Sequence, residues 1–364
     1  MLFVTGLLFL ALSPEGNAGR DARPSGPDVI SLGVVGDSMS HSYQDQLSFP
    51  PGSPARGGAL RANTYQWTEV IARLRGQELD LGPWVEWGRH PRIAEAREFI
   101  GLDGGRASRK QDYLFNFANS GARCDQLVGV GSIGRRFHQV PRLIAVMNRD
   151  PERWKKGVVV IRMGVNDWEP MLDLTSREPD APKARSVRDF CTGEIRKSVE
   201  RIHASHPSTR VVVVGILNDS YDPFYNDRWL SSVEERANIK KANALFNDQL
   251  RKLVASLPNT AFFDDAAWCE AHWGTHGSPT KPVVIGKTFA VTNTVGDDPH
   301  NAGLADHHSG LVWNVLWAQS LVDLLRKEFQ LPLTPISDEE VAAFVLPLAS
   351  RGPGEGEKVK APGS

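Results

Sequence analysis

Cysteine is scarce in this chain: Cys124, Cys191 and Cys269 are the only three in 364 residues, far apart and odd in number. They supply neither a disulfide framework nor a CxxC pair for a metal or redox centre, and at most one intramolecular disulfide can form. The leftover thiol reads as a small buried apolar residue rather than a reactive one. An excess of charge of one sign is missing too. Lys and Arg number 42 against 43 Asp and Glu, scattered rather than blocked, so the chain carries no electrostatic footprint for nucleic acid or an anionic membrane. No Gly-x-Ser-x-Gly occurs, which counts against the nucleophile elbow of an α/β-hydrolase.

No apolar run is long enough to cross a bilayer. Leu2 to Leu12 carries no charge but is too short for a membrane span. Pro14 breaks it, and Gly16-Asn17-Ala18 offers small residues where a signal peptidase reads, so residues 1–18 are expected to be a signal peptide, although a basic n-region is missing. A buried N-terminal strand is the competing reading. The expected location is secreted or periplasmic. Residues 1–18 contain Glu15 and no basic residue, so their removal leaves 42 charges of each sign.

What is present is an apolar fraction of 41 %, enough for a sizeable core, arranged as alternating strands and helices. Strands are expected at Val29–Val35, Tyr113–Ala118, Val158–Met163, Arg210–Leu217 and Thr260–Phe263, each short, apolar and followed by polar residues or glycine. Helices are expected at Gln66–Leu74, Ser186–His206, Ser232–Leu257 and Leu311–Phe329. Alternation of this kind implies a parallel, doubly wound sheet covered on both faces. Residues 45–112 and 268–305 read as long irregular segments walling a cleft. One domain is expected over 26–334, followed by a C-terminal extension, 335–364, that becomes a disordered tail from Arg351.

Three strand ends and one helix start carry chemistry. Val29–Val35 runs into Gly36-Asp37-Ser38, Tyr113–Ala118 into Asn119-Ser120-Gly121, and Val158–Met163 into Gly164-Val165-Asn166-Asp167; Asp306-His307-His308-Ser309-Gly310 precedes the last long helix. Sites in open α/β sheets form outside the carboxyl ends of strands. Each piece alone has a plainer explanation, a turn at Gly121 or a helix cap at Asn166. Together, over residues 29–328, they resemble the SGNH (GDSL) hydrolase family, whose four blocks supply Ser, Gly, Asn and His. The resemblance implies a flavodoxin-like three-layer α/β/α sandwich with a five-stranded parallel sheet, and a serine ester hydrolase that needs no metal or organic cofactor. It implies Ser38 as nucleophile, His308 as base and Asp306 as its orienting carboxylate, with the Ser38 and Gly121 backbone N–H groups and the Asn166 side-chain amide as oxyanion donors.

The fourth block departs from the family pattern. Asp usually stands three residues before the His, but position 305 is Ala and Asp306 lies only two before His308. The three-residue spacing occurs at Asp297-Asp298-Pro299-His300, eight residues early, so His300 is the second candidate for the base. Asp264, Asp265, His272, His276, Asp297, His300 and His307 also raise a metal reading, weakened by Gly274 and Gly277 and by the lack of a Glu after His272. Gly129-Val130-Gly131-Ser132-Ile133-Gly134 matches GxGxxG formally but follows no strand. Trp84, Trp87, Trp168, Trp229, Trp268 and Trp273 are aromatics for a cleft, Trp168 foremost. The expected substrates are small-molecule or carbohydrate esters, with O-acetylated carbohydrate or other short acyl esters in front. The alternative is a non-catalytic carbohydrate-binding protein that retains the fold. Nucleic acid and a membrane span are not expected.

Overall fold

The computed structural model describes residues 29–102, 104–129, 138–217, 232–274 and 282–353. The expected signal peptide, all but Gly129 of the GxGxxG run, Trp229, His276 and the tail beyond 353 lie outside the described residues. The centre of the fold is a five-stranded parallel sheet. Strands β1 (Ile30–Gly36), β2 (Leu79–Asp80), β5 (Val158–Arg162), β6 (Arg210–Val214) and β7 (Thr260–Phe263) lie in the order β2-β1-β5-β6-β7. Register runs Leu32 beside Val158, Val158 beside Arg210 and Val211 beside Thr260.

The central strands are unbroken apolar runs because both faces of the sheet are covered. Val158, Val160, Val212 and Val214 belong to one core, and Val159, Ile161, Val211 and Val213 to the other, the period of two that a strand imposes. The first core is closed by helices α1 (Trp67–Leu74) and α7 (Leu311–Phe329). The second is closed by α3 (Gln139–Met147), α4 (Pro182–Ser205) and α5 (Val233–Ala255). The result is the three-layer α/β/α arrangement. The chain steps from β1 to β2 on one side and later returns to β5 on the other, so the topological switch point, where ligands bind in such sheets, lies between β1 and β5.

The fifth strand is not the one expected. Tyr113–Ala118 does not form a full sheet strand. It follows the antiparallel hairpin β3 (Trp84–Trp87) and β4 (Lys110–Tyr113), then meets β1 at a single bridge between Asn116 and Val34. The start of β1 pairs instead with the two residues of β2, at Ile30–Leu79 and Ser31–Asp80. The edge of β1 is thus shared by two short segments, neither long enough to leave a periodic signal. Val34 N donates to Phe115 O and Phe117 N to Val34 O, so the expectation that this segment delivers its polar residues beside the end of β1 is met without a strand.

The two segments read as irregular also hold more structure than expected. Residues 45–112 contain β2, β3, α2 (Pro91–Phe99) and the start of β4. Residues 268–305 contain most of α6 (Asp265–Trp273) and a small sheet of β8 (Val283–Ile285), β9 (Phe289–Val295) and β10 (Asn301–Gly303). Past residue 335, α8 (Asp338–Ala349) begins with a capping box between Ser337 and Glu340 and buries Val341, Val345 and Leu348 in the first core. Arg75 clamps it with two bonds to Glu340, 2.9 and 2.7 Å. Among the described residues no helix is long and apolar enough to cross a membrane.

Candidate active site

Gly36 ends β1 against the main chain of β5. A Cβ there would lie 2.3 Å from Arg162 O, so only glycine lets the two strand ends close up. The Gln139 side chain holds Gly36 at both of its main-chain polar groups, accepting Gly36 N–H at 2.7 Å and donating to Gly36 O at 2.8 Å. The chain then turns at Asp37, whose carboxylate accepts the Met39 N–H at 2.9 Å. Burial pushes the Asp37 carboxyl up to about 6, against that hydrogen bond and the Arg162 charge. Ser38 emerges from this turn into a cleft of about 270 Å³.

Three more of the expected residues line that cleft: Gly121, Asn166 and His308. Asn119 N–H donates to Gly36 O at 3.1 Å, which ties the Ser120-Gly121 loop to the end of β1. Gly121 has φ +75°, a left-handed backbone that favours glycine. Asn166 follows β5 in a one-turn helix and donates from Nδ2 to Ala122 O at 2.8 Å. That bond engages one N–H of the amide and orients the other. Asp167, beside it, accepts Cys124 N–H at 2.8 Å. Cys124 is in turn joined to Cys191 of α4 by a disulfide, while Cys269 is buried in the first core.

His308 arrives on a tight loop before α7. Leu304 N–H donates to His308 O at 2.7 Å, and Tyr43 Oη and Asn314 Nδ2 donate to Ser309 O at 2.9 and 3.0 Å. The residue between the Asp and the His, His307, has φ +68°. That left-handed step shortens the route, so a two-residue spacing still brings Asp306 Oδ1 to 3.2 Å from His308 Nδ1. Burial would raise the Asp306 carboxyl, but the His308 hydrogen bond and the nearby cations outweigh it and hold the group well below the usual carboxylate range. Burial lowers His308 below the ordinary imidazole value, with Asp306 opposing and Arg56 reinforcing.

His300 is elsewhere. Its Nδ1 lies 2.7 Å from Ala290 O, and its ring stacks on Phe289 with centroids 4.3 Å apart. Asp297 accepts the Ala305 N–H and Asp298 the His300 N–H, so the three-residue spacing serves a turn. The other residues of the metal reading have other partners. Asp265 pairs with Arg162 at 2.7 Å, Asp264 caps α6, and His272 Nδ1 meets Trp268 O at 2.8 Å. Among the described residues, one group of ligand-type atoms lies close together, Cys124, Asp167 and Cys191, and its two sulfurs are bonded to each other.

Trp168 does not wall the cleft. It is fully buried, donating to Asn243 Oδ1 at 2.6 Å and packed edge-on against Phe246. Trp273 is buried as well, stacked on Trp313. Among the described residues, the tryptophan that lines the cleft is Trp313, on α7, which the apolar periodicity of that helix concealed. Arg56 also went unseen, a residue of an irregular segment with no motif around it. Its guanidinium is buried against Asp306.

The family model described as GDSL-like Lipase/Acylhydrolase matches residues 32–268. No curated protein sequence matches the chain. Among solved structures it is similar to an extracellular lipase from Streptomyces rimosus, at 15 % identity, with 80 % of this chain and 99 % of that one covered and a TM-score of 0.41. It is also similar to a mutant acetyl-xylooligosaccharide esterase from Geobacillus stearothermophilus, at 12 % identity, 81 % and 93 % coverage and a TM-score of 0.40. Phospholipase A1 from Streptomyces albidoflavus matches at 14 % identity, 80 % and 99 % coverage and a TM-score of 0.38.

Proposed function

The chain belongs to the GDSL-like lipase/acylhydrolase family and is an SGNH-type ester hydrolase, and from that premise we propose that it cleaves short acyl esters through a covalent acyl-Ser38 intermediate. The observation that carries this reading is that Ser38, Gly121, Asn166 and His308 line one cleft at the switch point of the sheet, with Asp306 against His308 Nδ1. His308 Nε2 takes the Ser38 proton as Oγ attacks the carbonyl carbon. The oxygen that becomes negative meets the Ser38 and Gly121 N–H groups and the Asn166 amide, donors fixed before reaction, each of which contributes about 3 kcal/mol in such sites. His308 then protonates the departing alcohol, and water, activated by the same imidazole, releases the acid and regenerates Ser38. Asp306 keeps the ring in the required tautomer and stabilises the imidazolium.

The size of the cleft supports a short acyl group. Met163, Val165, Ile216, Leu217 and Trp313 give it apolar walls. O-Acetylated carbohydrate stays within the class, with Trp313 as an aromatic wall for a sugar ring. Export to an oxidising compartment is supported by the buried Cys124–Cys191 disulfide. The test is hydrolysis of p-nitrophenyl esters by the purified protein beside Ser38→Ala. The expected result is a rate that falls from acetate to decanoate and that drops by at least about 10³-fold in the variant. Wild-type activity no greater than Ser38→Ala would favour a binding protein that retains the fold, and a preference for decanoate would overturn the short-acyl assignment.

A pH dependence follows from the site. The base must be deprotonated, and His308 is lowered from the ordinary imidazole value of 6.5. As pH falls from neutral, kcat/KM is expected to decline along an acid limb centred below 6.5. A pH–rate profile between 4 and 8 checks this, and an acid limb centred above 6.5 contradicts it.

A further inference from the structure

Arg56 occupies a position that the chemistry above does not use. It is 3 % exposed, and it lies in left-handed backbone at φ +60°, followed by Gly57 and Gly58 at φ +98° and +53°. A non-glycine residue persists in that region only where its surroundings hold it there. Here the turn aims both ends of one residue at one carboxylate. Asp306 Oδ2 accepts the Arg56 main-chain N–H at 2.7 Å and its Nη1–H at 2.6 Å. The other arm of the guanidinium, Nη2, donates to Ser120 Oγ at 3.0 Å, beside Gly121. The plane of the group is held over the Phe49 ring, 4.5 Å to the centroid, and near Tyr43 at 5.5 Å.

Resting on the Ser38–His308 reading, we propose that Arg56 is a positioning residue: one guanidinium fixes the Asp306 carboxylate beneath the base and, through Ser120, sets the loop that carries the Gly121 oxyanion donor. The fork geometry of arginine suits this task, because its two terminal nitrogens diverge at a fixed angle and remain charged. Ser120 is anchored from its far side as well. Its hydroxyl lies 3.1 Å from His41 Nδ1, and His41 Nε2 lies 2.9 Å from the buried Asp45. Burial keeps His41 neutral, at about 4, and the Ser120 main-chain N–H also donates to Nδ1 at 3.2 Å. His41 Nδ1 is therefore the acceptor, and the Ser120 hydroxyl is held between it and Arg56.

Proton placement at His308 follows from the same contacts. Nδ1 faces two acceptors of Asp306, the main-chain O at 2.7 Å and Oδ1 at 3.2 Å. With the proton on Nδ1, as the catalytic reading requires, both acceptors are engaged and the Nε2 lone pair is left for Ser38. Arg56 Nη1, which donates to Asp306 Oδ2, also lies 2.7 Å from the same Nδ1, and its charge opposes protonation of the ring. The charged groups acting directly on His308 are Asp306 on its own loop and Arg56 on the segment packed against it. Around the cleft stand Asp37, Glu169, His307 and the Arg162–Asp265 pair.

The experiment compares kcat, KM and pH profiles of wild type, Arg56→Lys and Arg56→Gln, with Ser38→Ala and His308→Ala beside them. Arg56→Gln is expected to lower kcat about 10²-fold, with KM within about twofold. Loss of the cation should also move the acid limb of kcat/KM upward by about one pH unit. Arg56→Lys keeps the charge and loses the fork, so its kcat should fall while its acid limb stays in place; its thermal unfolding controls for folding. An unmoved acid limb in Arg56→Gln, or kcat within about twofold of wild type in both variants, overturns the proposal. Activity surviving in Ser38→Ala or His308→Ala would instead overturn the catalytic reading on which it rests.

Discussion

His308→Ala is expected to lower kcat/KM for p-nitrophenyl acetate by about 10²- to 10⁴-fold, the usual contribution of a positioned general base, while His300→Ala stays within about twofold of wild type. The expectation follows from where the two rings are held. His308 lines the cleft with Ser38 and has a carboxylate at 3.2 Å from Nδ1; His300 faces Ala290 O and the ring of Phe289 on the small sheet. The alanine at 308 leaves the loop in place, because the main-chain bonds at Leu304, Ser309 and Gly310 do not use the imidazole. Matching unfolding temperatures would therefore accompany the loss of rate. Equal losses in both variants, or a larger one at His300, would transfer the base to the second histidine.

The parts of this site that were legible in the sequence are those that ride on regular elements. A buried strand of unbroken apolar residues ending in Gly36-Asp37-Ser38 can be read because period and punctuation coincide, and Asn166 after Val158–Arg162 is read in the same way. Helix α7 begins where Gly310 suggested, and its start fixes where His308 must lie. The residues that escaped act through contacts far apart in the chain. Arg56 meets Asp306 across 250 positions and Gln139 meets Gly36 across 103, and no local pattern records either. Tyr113–Ala118 misled because it is apolar and lies beside β1, yet it shares that edge with Leu79–Asp80, a pairing that only the tertiary structure supplies. Trp168 misled for the opposite reason: its place after Asn166 suggested the cleft, but the one-turn helix there rotates it into the core beside Phe246. Helix α8 could have been found, since Ser337 and Glu340 have the spacing of a capping box.

The double variant Cys124→Ala/Cys191→Ala is expected to lose about 4 kcal/mol of stability, the chain-entropy value for closing a loop of this length, with 67 residues separating the two cysteines. For a domain of this size the loss corresponds to a fall of about 6 °C in Tm. The bond also bears on the site. Cys124 N–H is held by Asp167, next to Asn166, while the Asn166 amide is oriented by Ala122 O, two residues before Cys124. The disulfide thus fastens to α4 the short segment whose Ala122 O and Cys124 N–H hold the Asn166 donor in place. Its loss should lower kcat more than it raises KM, because donors misplaced by a fraction of an ångström weaken the bond to the oxyanion while the apolar walls of the cleft stay where they are. Thermal unfolding and steady-state kinetics on the same variant measure both effects. A Tm lowered by less than about 3 °C would mean that closing this loop contributes little to the fold. A normal kcat in a destabilised variant would mean that the Asp167 and Asn166 hydrogen bonds hold the donors without the crosslink.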